Sequence, residues 1–159
     1  MSGKIMAILF AALVLITGFG LYYLQVYYYY REVEGAQIPA TLTLAGADGQ
    51  PITAPVTDYQ GIYSISTPIG QRACFKTDAA EVARAEPYAK PTPLGAPGWF
   101  DCYDYGRVTE DLEAGKAKAY LVQKDIAPKI DAVIAVYPDG RAYEWRQTNE
   151  EAEEKRTIE

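Results

Sequence analysis

The longest apolar run in the chain is residues 5–24, IMAILFAALVLITGFGLYYL, with no charged residue and only Thr17 as a non-aromatic polar side chain. As a helix rising 1.5 Å per residue, about 20 residues cover roughly 30 Å, the hydrocarbon thickness of a bilayer. The run predicts a membrane-spanning helix, so the remainder of the chain lives beside a membrane. Downstream the period changes. Residues 38–44, IPATLTL, alternate apolar and hydroxyl side chains as a half-buried strand does. A turn follows over residues 45–51, and Pro51 and Pro55 make the next stretch irregular. Residues 61–66 and 72–76 are strand-like. Asp78 can cap a short helix over residues 79–86 that Pro87 ends. Pro87, Pro91, Pro93 and Pro97 then carry a surface loop to Gly98-Trp99-Phe100-Asp101-Cys102. A second helix fits residues 107–114, with Gly115 as its stop. Residues 117–124, AKAYLVQK, and 130–137, IDAVIAVY, are strands, and Tyr137-Pro138-Asp139-Gly140 turns into a third at 141–146.

These elements predict an N-terminal single transmembrane α-helix followed by a small α+β domain, with a mostly antiparallel sheet and its helices on one face. The divisions are a cytoplasmic N-terminus (1–4), a transmembrane helix with a tyrosine belt (5–30), a periplasmic α+β domain (31–148) and an acidic tail (149–159). The tail has almost nothing to bury and is expected to be solvated, partly helical or disordered. Core candidates are Tyr63, Phe75, Trp99, Phe100, Leu121, Val133, Ile134 and Trp145.

The flanks of the apolar run refine its reading. Tyr22, Tyr23, Tyr27, Tyr28, Tyr29 and Tyr30 stand where the helix leaves the hydrocarbon. An apolar ring with a polar hydroxyl settles at the headgroup level, so these tyrosines form an interfacial belt. A removable signal peptide is the alternative, but the run exceeds the usual h-region of about 7–15 residues and no small-x-small cleavage site follows it. Lys4 lies on the short side, whereas Arg31 is followed by Glu32 and Glu34, and the next basic residue is Arg72. The positive-inside rule then places the N-terminus in the cytoplasm. Gly3, Ala7, Ala11, Val14 and Gly18 share one helix face. Small residues at that spacing let a second helix approach closely in lipid, so a partner helix from another integral membrane protein is expected there, unless they merely reflect the usual composition of membrane helices.

Composition excludes more than it assigns. The chain has 159 residues and a formal charge of −6, which argues against nucleic acid and against an anionic-lipid patch. It contains no histidine. That removes Ser-His-Asp and Cys-His catalysis, haem attachment through Cys-x-x-Cys-His, and nearly all imidazole-dependent zinc, copper and iron sites. No metal site, catalytic residue or cofactor is therefore expected. Cys74 and Cys102 are the only cysteines. On the exported side of a membrane they read as a disulfide, with a redox-active pair or two free thiols as the alternatives. Asp101 and Asp104 flank Cys102 and read as solvated or capping residues rather than a glycosidase-like pair. Glu110, Asp111 and Glu113 are expected near a helix N-terminus, where they suit the dipole. Trp99 and Phe100, beside the prolines, are a candidate partner surface, unless both rings fold back over the disulfide.

The segments MSGK, LYYLQVYYYYREV, RACF, PLGAPGWFDCYD and AVIAVYPDGRAYEW together resemble an uncharacterised family of short single-anchor membrane proteins from Rhodobacter-type alphaproteobacteria. The likeness covers most of residues 1–147, and the Glu-rich tail lies outside it. It implies an alphaproteobacterial inner membrane and an exported domain, and it implies no reaction. The expected function is a non-catalytic accessory or assembly subunit of a respiratory or photosynthetic inner-membrane complex. The alternatives are a free-standing periplasmic binding or sensory module and a thiol redox protein.

Overall fold

The computed structural model describes residues 2–154. Helix α1 (Gly3–Tyr23) continues through one wider π-helical turn, Leu24–Tyr28. Together they form a single apolar helix, Gly3–Tyr28, long enough to cross a membrane and with none of its length buried by the rest of the chain. Such a helix serves either as a span or as a signal sequence.

The chain passes from this helix almost directly into a strand. Eight strands follow: β1 (Tyr30–Glu32), β2 (Thr41–Leu44), β3 (Ile52–Pro55), β4 (Thr57–Ser64), β5 (Arg72–Lys76), β6 (Lys118–Ala127), β7 (Ile130–Val136) and β8 (Arg141–Thr148). Six of them form one antiparallel sheet in the order β1-β4-β5-β8-β7-β6, and β2-β3 is a separate hairpin. Among the described residues the domain has three short α-helices, α2 (Ala79–Val82), α3 (Tyr105–Glu113) and α4 (Glu150–Glu154), and two single 3-10 turns, Gly35–Gln37 and Pro68–Gly70.

Both faces of the six-stranded sheet are covered, because β5, β7 and β8 are apolar on alternate positions of both sides. The first face carries Ala73, Phe75, Ile134, Val136 and Ala142, packed beneath Leu44, Ile52 and Ala54 of the hairpin and Val82 of α2. The second carries Cys74, Val133, Ala135 and Trp145, packed beneath Val108 of α3 and the rings of Tyr103 and Phe100. The helices thus lie on opposite faces rather than on one. A strand such as IDAVIAV, apolar at nearly every position, requires cover on both sides.

Several local expectations shift for physical reasons. The stretch after Pro51 is a strand, not irregular, since proline is tolerated at the ends of edge strands and Pro55 closes β3. Strand β4 starts four residues before Gly61, around a register shift at Thr57–Gln60 where Asp58 adopts φ 53° and pairs with Lys76 at 2.8 Å. Helix α2 is half its expected length. Asp78 caps it as expected, but the chain is then drawn out along the hairpin and β6 through Glu86 N to Ala45 O (2.8 Å) and Leu121 N to Glu86 O (2.8 Å). Asp104, accepting from Arg107 N, starts α3 at Tyr105. Glu110, Asp111 and Glu113 therefore occupy its second half, and the Asp111 carboxylate accepts from Tyr137 Oη (2.8 Å) and Lys116 Nζ (3.1 Å). Gly115 and Gly140 take φ 71° and 86°; at Gly140 a Cβ would sit 2.7 Å from Thr77 O, so only glycine closes that turn. Asn149 is buried and donates to Asp125 and Asp131, and Glu150 and Glu151 at the start of α4 pair with Lys90 and Lys124, so the first part of the expected tail is helical and packed on the domain. Residues 155–159 of that tail lie outside the described residues.

Of the expected core, Phe75, Leu121, Val133, Ile134 and Trp145 are buried, while Tyr63, Trp99 and Phe100 are half-buried. Replacing Ile134, which has no exposed surface, by Ala removes buried methylenes and leaves a cavity. Denaturant unfolding of the full chain in detergent should show a loss of about 2–5 kcal/mol. The same truncation at the exposed Ile38 should cost far less, and equal losses would mean the first-face core is misassigned.

Candidate functional site at the helix–domain junction

The last carbonyls of a helix have no intrahelical donor and must find one elsewhere. Here side chains supply donors to two of them, and Arg31 also reaches the carbonyl of Tyr30 at the start of β1. The Trp99 indole Nε1 donates to Val26 O at 2.7 Å. The Arg31 guanidinium donates to Tyr28 O and to Tyr30 O, and lies 5.5 Å from the Tyr28 ring centroid. A cation at that end also suits the helix dipole. The Tyr30 ring meets Trp99 edge-on at 6.4 Å, and Trp99 meets Phe100 edge-on at 6.3 Å.

Trp99 can grip the helix only if its own loop is fixed. Residues 87–104 contain no strand and no regular helix, so side chains must satisfy much of their backbone. Buried Arg72 of β5 donates Nε to Leu94 O (2.8 Å) and Gly95 O (3.1 Å). Buried Gln147 of β8 accepts from Thr92 N (2.7 Å) and donates to Lys90 O (2.9 Å), while Trp145 Nε1 donates to the same Gln147 oxygen at 2.9 Å. The disulfide between Cys74 and Cys102, Cα atoms 6.2 Å apart, ties the end of the loop to β5. Burial holds the Arg72 pKa below its ordinary value, yet a guanidinium stays charged; carbonyl oxygens rather than a carboxylate answer that charge. Nearby, burial pushes the Tyr103 phenol upward, and its hydroxyl has no hydrogen-bond partner among the described residues.

A second unusual group sits on the first face. Glu144 of β8 is 6% exposed, between Ala73 and Ile134, and its carboxylate accepts from Gln71 Nε2 at 3.3 Å. Burial raises its pKa from 4.5 to about 7, with Arg146 on the same face opposing. Among the described residues no group of three or more Cys, Asp or Glu is placed to hold a metal ion.

A family match covers residues 41–156, well over half of the chain. The chain belongs to DUF6446, a family of unknown function. No curated protein and no solved structure matches it. The DUF6446 match begins at β2, so it includes Cys74, Trp99, Cys102 and Glu144 but leaves out the apolar helix, its tyrosines and β1; it also reaches into the Glu-rich tail.

The residues expected to matter fall into three groups in this DUF6446 chain. Cys74 and Cys102 are joined. Trp99 and Phe100 divide the two readings offered for them: Phe100 turns back to the core beside the disulfide, and Trp99 turns to the helix exit. Tyr22, Tyr23 and Tyr27 pack ring to ring, as do Tyr28 and Tyr29, while Tyr30 has already entered β1. Gly3, Ala7, Ala11 and Gly18 remain exposed, uncovered by their own chain. Asp104 caps α3 and Asp101 is exposed. Sequence reading missed Arg72, Gln147 and Glu144. The available signal was RAYEWRQT, where alternation puts charged Glu144 and Arg146 on the face opposite Trp145 and Gln147, in a strand covered on both sides.

The Glu144 carboxyl yields a pH dependence of defined sign. With its folded pKa above the unfolded value, the native state holds a proton that the unfolded chain has released. Its contribution is thus fully present below about pH 4.5 and is lost as pH rises towards about 7. At 1.36 kcal/mol per unit the loss amounts to roughly 3 kcal/mol at most. Glu144→Gln should therefore be more stable than the parent at pH 8 and lose that advantage near pH 4.5, as measured by denaturant unfolding at each pH. An advantage independent of pH would show that Glu144 titrates normally.

Proposed function

We propose that this DUF6446 chain is a non-catalytic, single-pass protein of a bacterial inner membrane, with its N-terminus cytoplasmic and its domain periplasmic. Its role is that of an accessory or assembly subunit of a larger membrane complex, respiratory or photosynthetic in kind. One observation carries this reading: the apolar helix enters the sheet without a linker. Tyr29 is separated from β1 by no residue, β1 is paired to β4 from Tyr30 onward, and Trp99 holds Val26. A tethered catcher of soluble ligands gains from a flexible stalk, whereas a subunit that must meet a partner both in the bilayer and above it gains from a fixed angle between helix and domain. The Cys74–Cys102 disulfide supports an oxidising compartment for the domain. The uncovered face of Gly3, Ala7, Ala11 and Gly18 supports close approach by another helix.

A second reading, a free-standing binding or sensory module, has one observation in its favour. An open cleft of about 650 Å³ lies over the disulfide, lined by Gln60, Lys76, Arg141 and Tyr143 among others. Its openness to solvent and mixed charge suit a weak, polar ligand at best.

The test is comigration. Ala7→Leu with Ala11→Leu fills the small-residue face while keeping the helix apolar, so insertion and the disulfide should persist. In mild detergent the native protein should migrate with a large complex, and the double variant should lose at least nine-tenths of that association. Undiminished comigration, or a native protein that runs alone, would leave the free-standing module as the better account.

A further inference from the structure

We propose that the turn between β4 and β5, residues 65–71, is a second membrane contact: it seats the domain directly on the lipid surface, with Ile65 in the upper acyl region. This rests on the reading of the apolar helix as a membrane span. The placement follows from strand directions. Tyr30 pairs with Ser64, and Ile65 N donates to Tyr29 O at 2.9 Å, so Ile65 lies level with the tyrosines that mark the helix exit. Ile65 is 52% exposed, and among the described residues beyond the apolar helix only Ile38 and Tyr105 join it as exposed large hydrophobic side chains. An isolated exposed isoleucine is ordinary on a soluble surface. One held at the depth of an interfacial tyrosine belt has lipid as its neighbour.

The turn is also built to keep its shape under that contact. From behind, Arg72 Nη1 donates to Ile69 O at 2.7 Å and Arg146 Nη1 donates to Pro68 O at 3.0 Å. From within, Thr67 Oγ1 accepts from Ile69 N at 3.4 Å, and Ser64 and Ser66 share a hydroxyl contact at 3.0 Å. Two arginines thus occupy their donors on the carbonyls of a short exposed turn. Arg31, on the neighbouring strand, has no carboxylate within ion-pair distance among the described residues; its exposed guanidinium uses Nη1 on the Tyr28 and Tyr30 carbonyls, and its remaining donors would face lipid phosphates if the helix spans a bilayer. The surface therefore offers an apolar tip beside a phosphate-binding cation, the combination a bilayer interface rewards. Neither feature requires anionic lipid, in keeping with the acidic chain as a whole.

The experiment uses the full chain, disulfide intact, in vesicles of phosphatidylcholine and phosphatidylglycerol. An environment-sensitive fluorophore is attached singly at Ile65→Cys, at Ser66→Cys as an independent site in the same turn, at Pro138→Cys in the opposite β7–β8 turn, and at Val14→Cys within the helix. Lipids carrying a nitroxide high on the acyl chain should quench the Ile65 and Ser66 labels several-fold more than the Pro138 label, with blue-shifted emission. Lipids carrying it at the chain terminus should quench the Val14 label most. If Val14 is quenched but Ile65 and Ser66 match Pro138, the domain stands clear of the bilayer and this inference is wrong while the spanning helix survives. If Val14 also escapes quenching, the spanning reading fails and the inference falls with it.

Discussion

The hydrogen bond from the Trp99 indole to the Val26 carbonyl ties the apolar helix to the domain beyond the point where the chain simply passes from one to the other. The end of a helix leaves carbonyls without donors, and water would satisfy them equally well. Supplying the donor from a tryptophan of the domain turns that need into a fixed joint. Each further support serves the joint. Phe100 carries Trp99 onto the core, the disulfide fastens Cys102 to β5, and Arg72 and Gln147 hold the proline loop that delivers all three. The edge strand β1 completes it, because a chain already paired with β4 at Tyr30 has little freedom to swing.

Seen this way, the buried polar residues of the second face are explained by the loop they hold. An irregular segment laid over a sheet must find partners for its backbone, and an Arg and a Gln reaching out of the strands are economical donors and acceptors. Glu144 on the other face has no such duty. A single contact with Gln71 does not offset its burial, which is why its carboxyl is pushed up to about 7.

Much of this was legible in the chain because the relevant patterns are local. The uninterrupted apolar run, the Tyr-Pro-Asp-Gly turn, the strand RACFK and the doubly apolar strand IDAVIAV each depend on neighbours a few residues away. The elements misread were those decided at long range. Strand β3 exists because β2 pairs with it across two prolines, and α2 is short because β6 claims the following backbone. The same holds for the junction. Trp99 stands beside prolines and aromatics, which fits a binding loop or a core plug; that its indole reaches a carbonyl 73 positions earlier is set by the fold alone. The DUF6446 match spans Trp99 and the disulfide but not Val26 or β1, so the joint straddles the start of the matched region.

If Trp99 is the joint, helix and domain move as one rigid body. Paired spin labels at Ile16→Cys on the helix and Glu113→Cys on α3, read by pulsed dipolar spectroscopy in lipid nanodiscs, test it most directly. A rigid joint gives one narrow distance distribution in the native background, broadened at least two-fold by Trp99→Ala while the disulfide and the sheet signature remain. A native distribution already broad, or one that Trp99→Ala leaves unchanged, would contradict it.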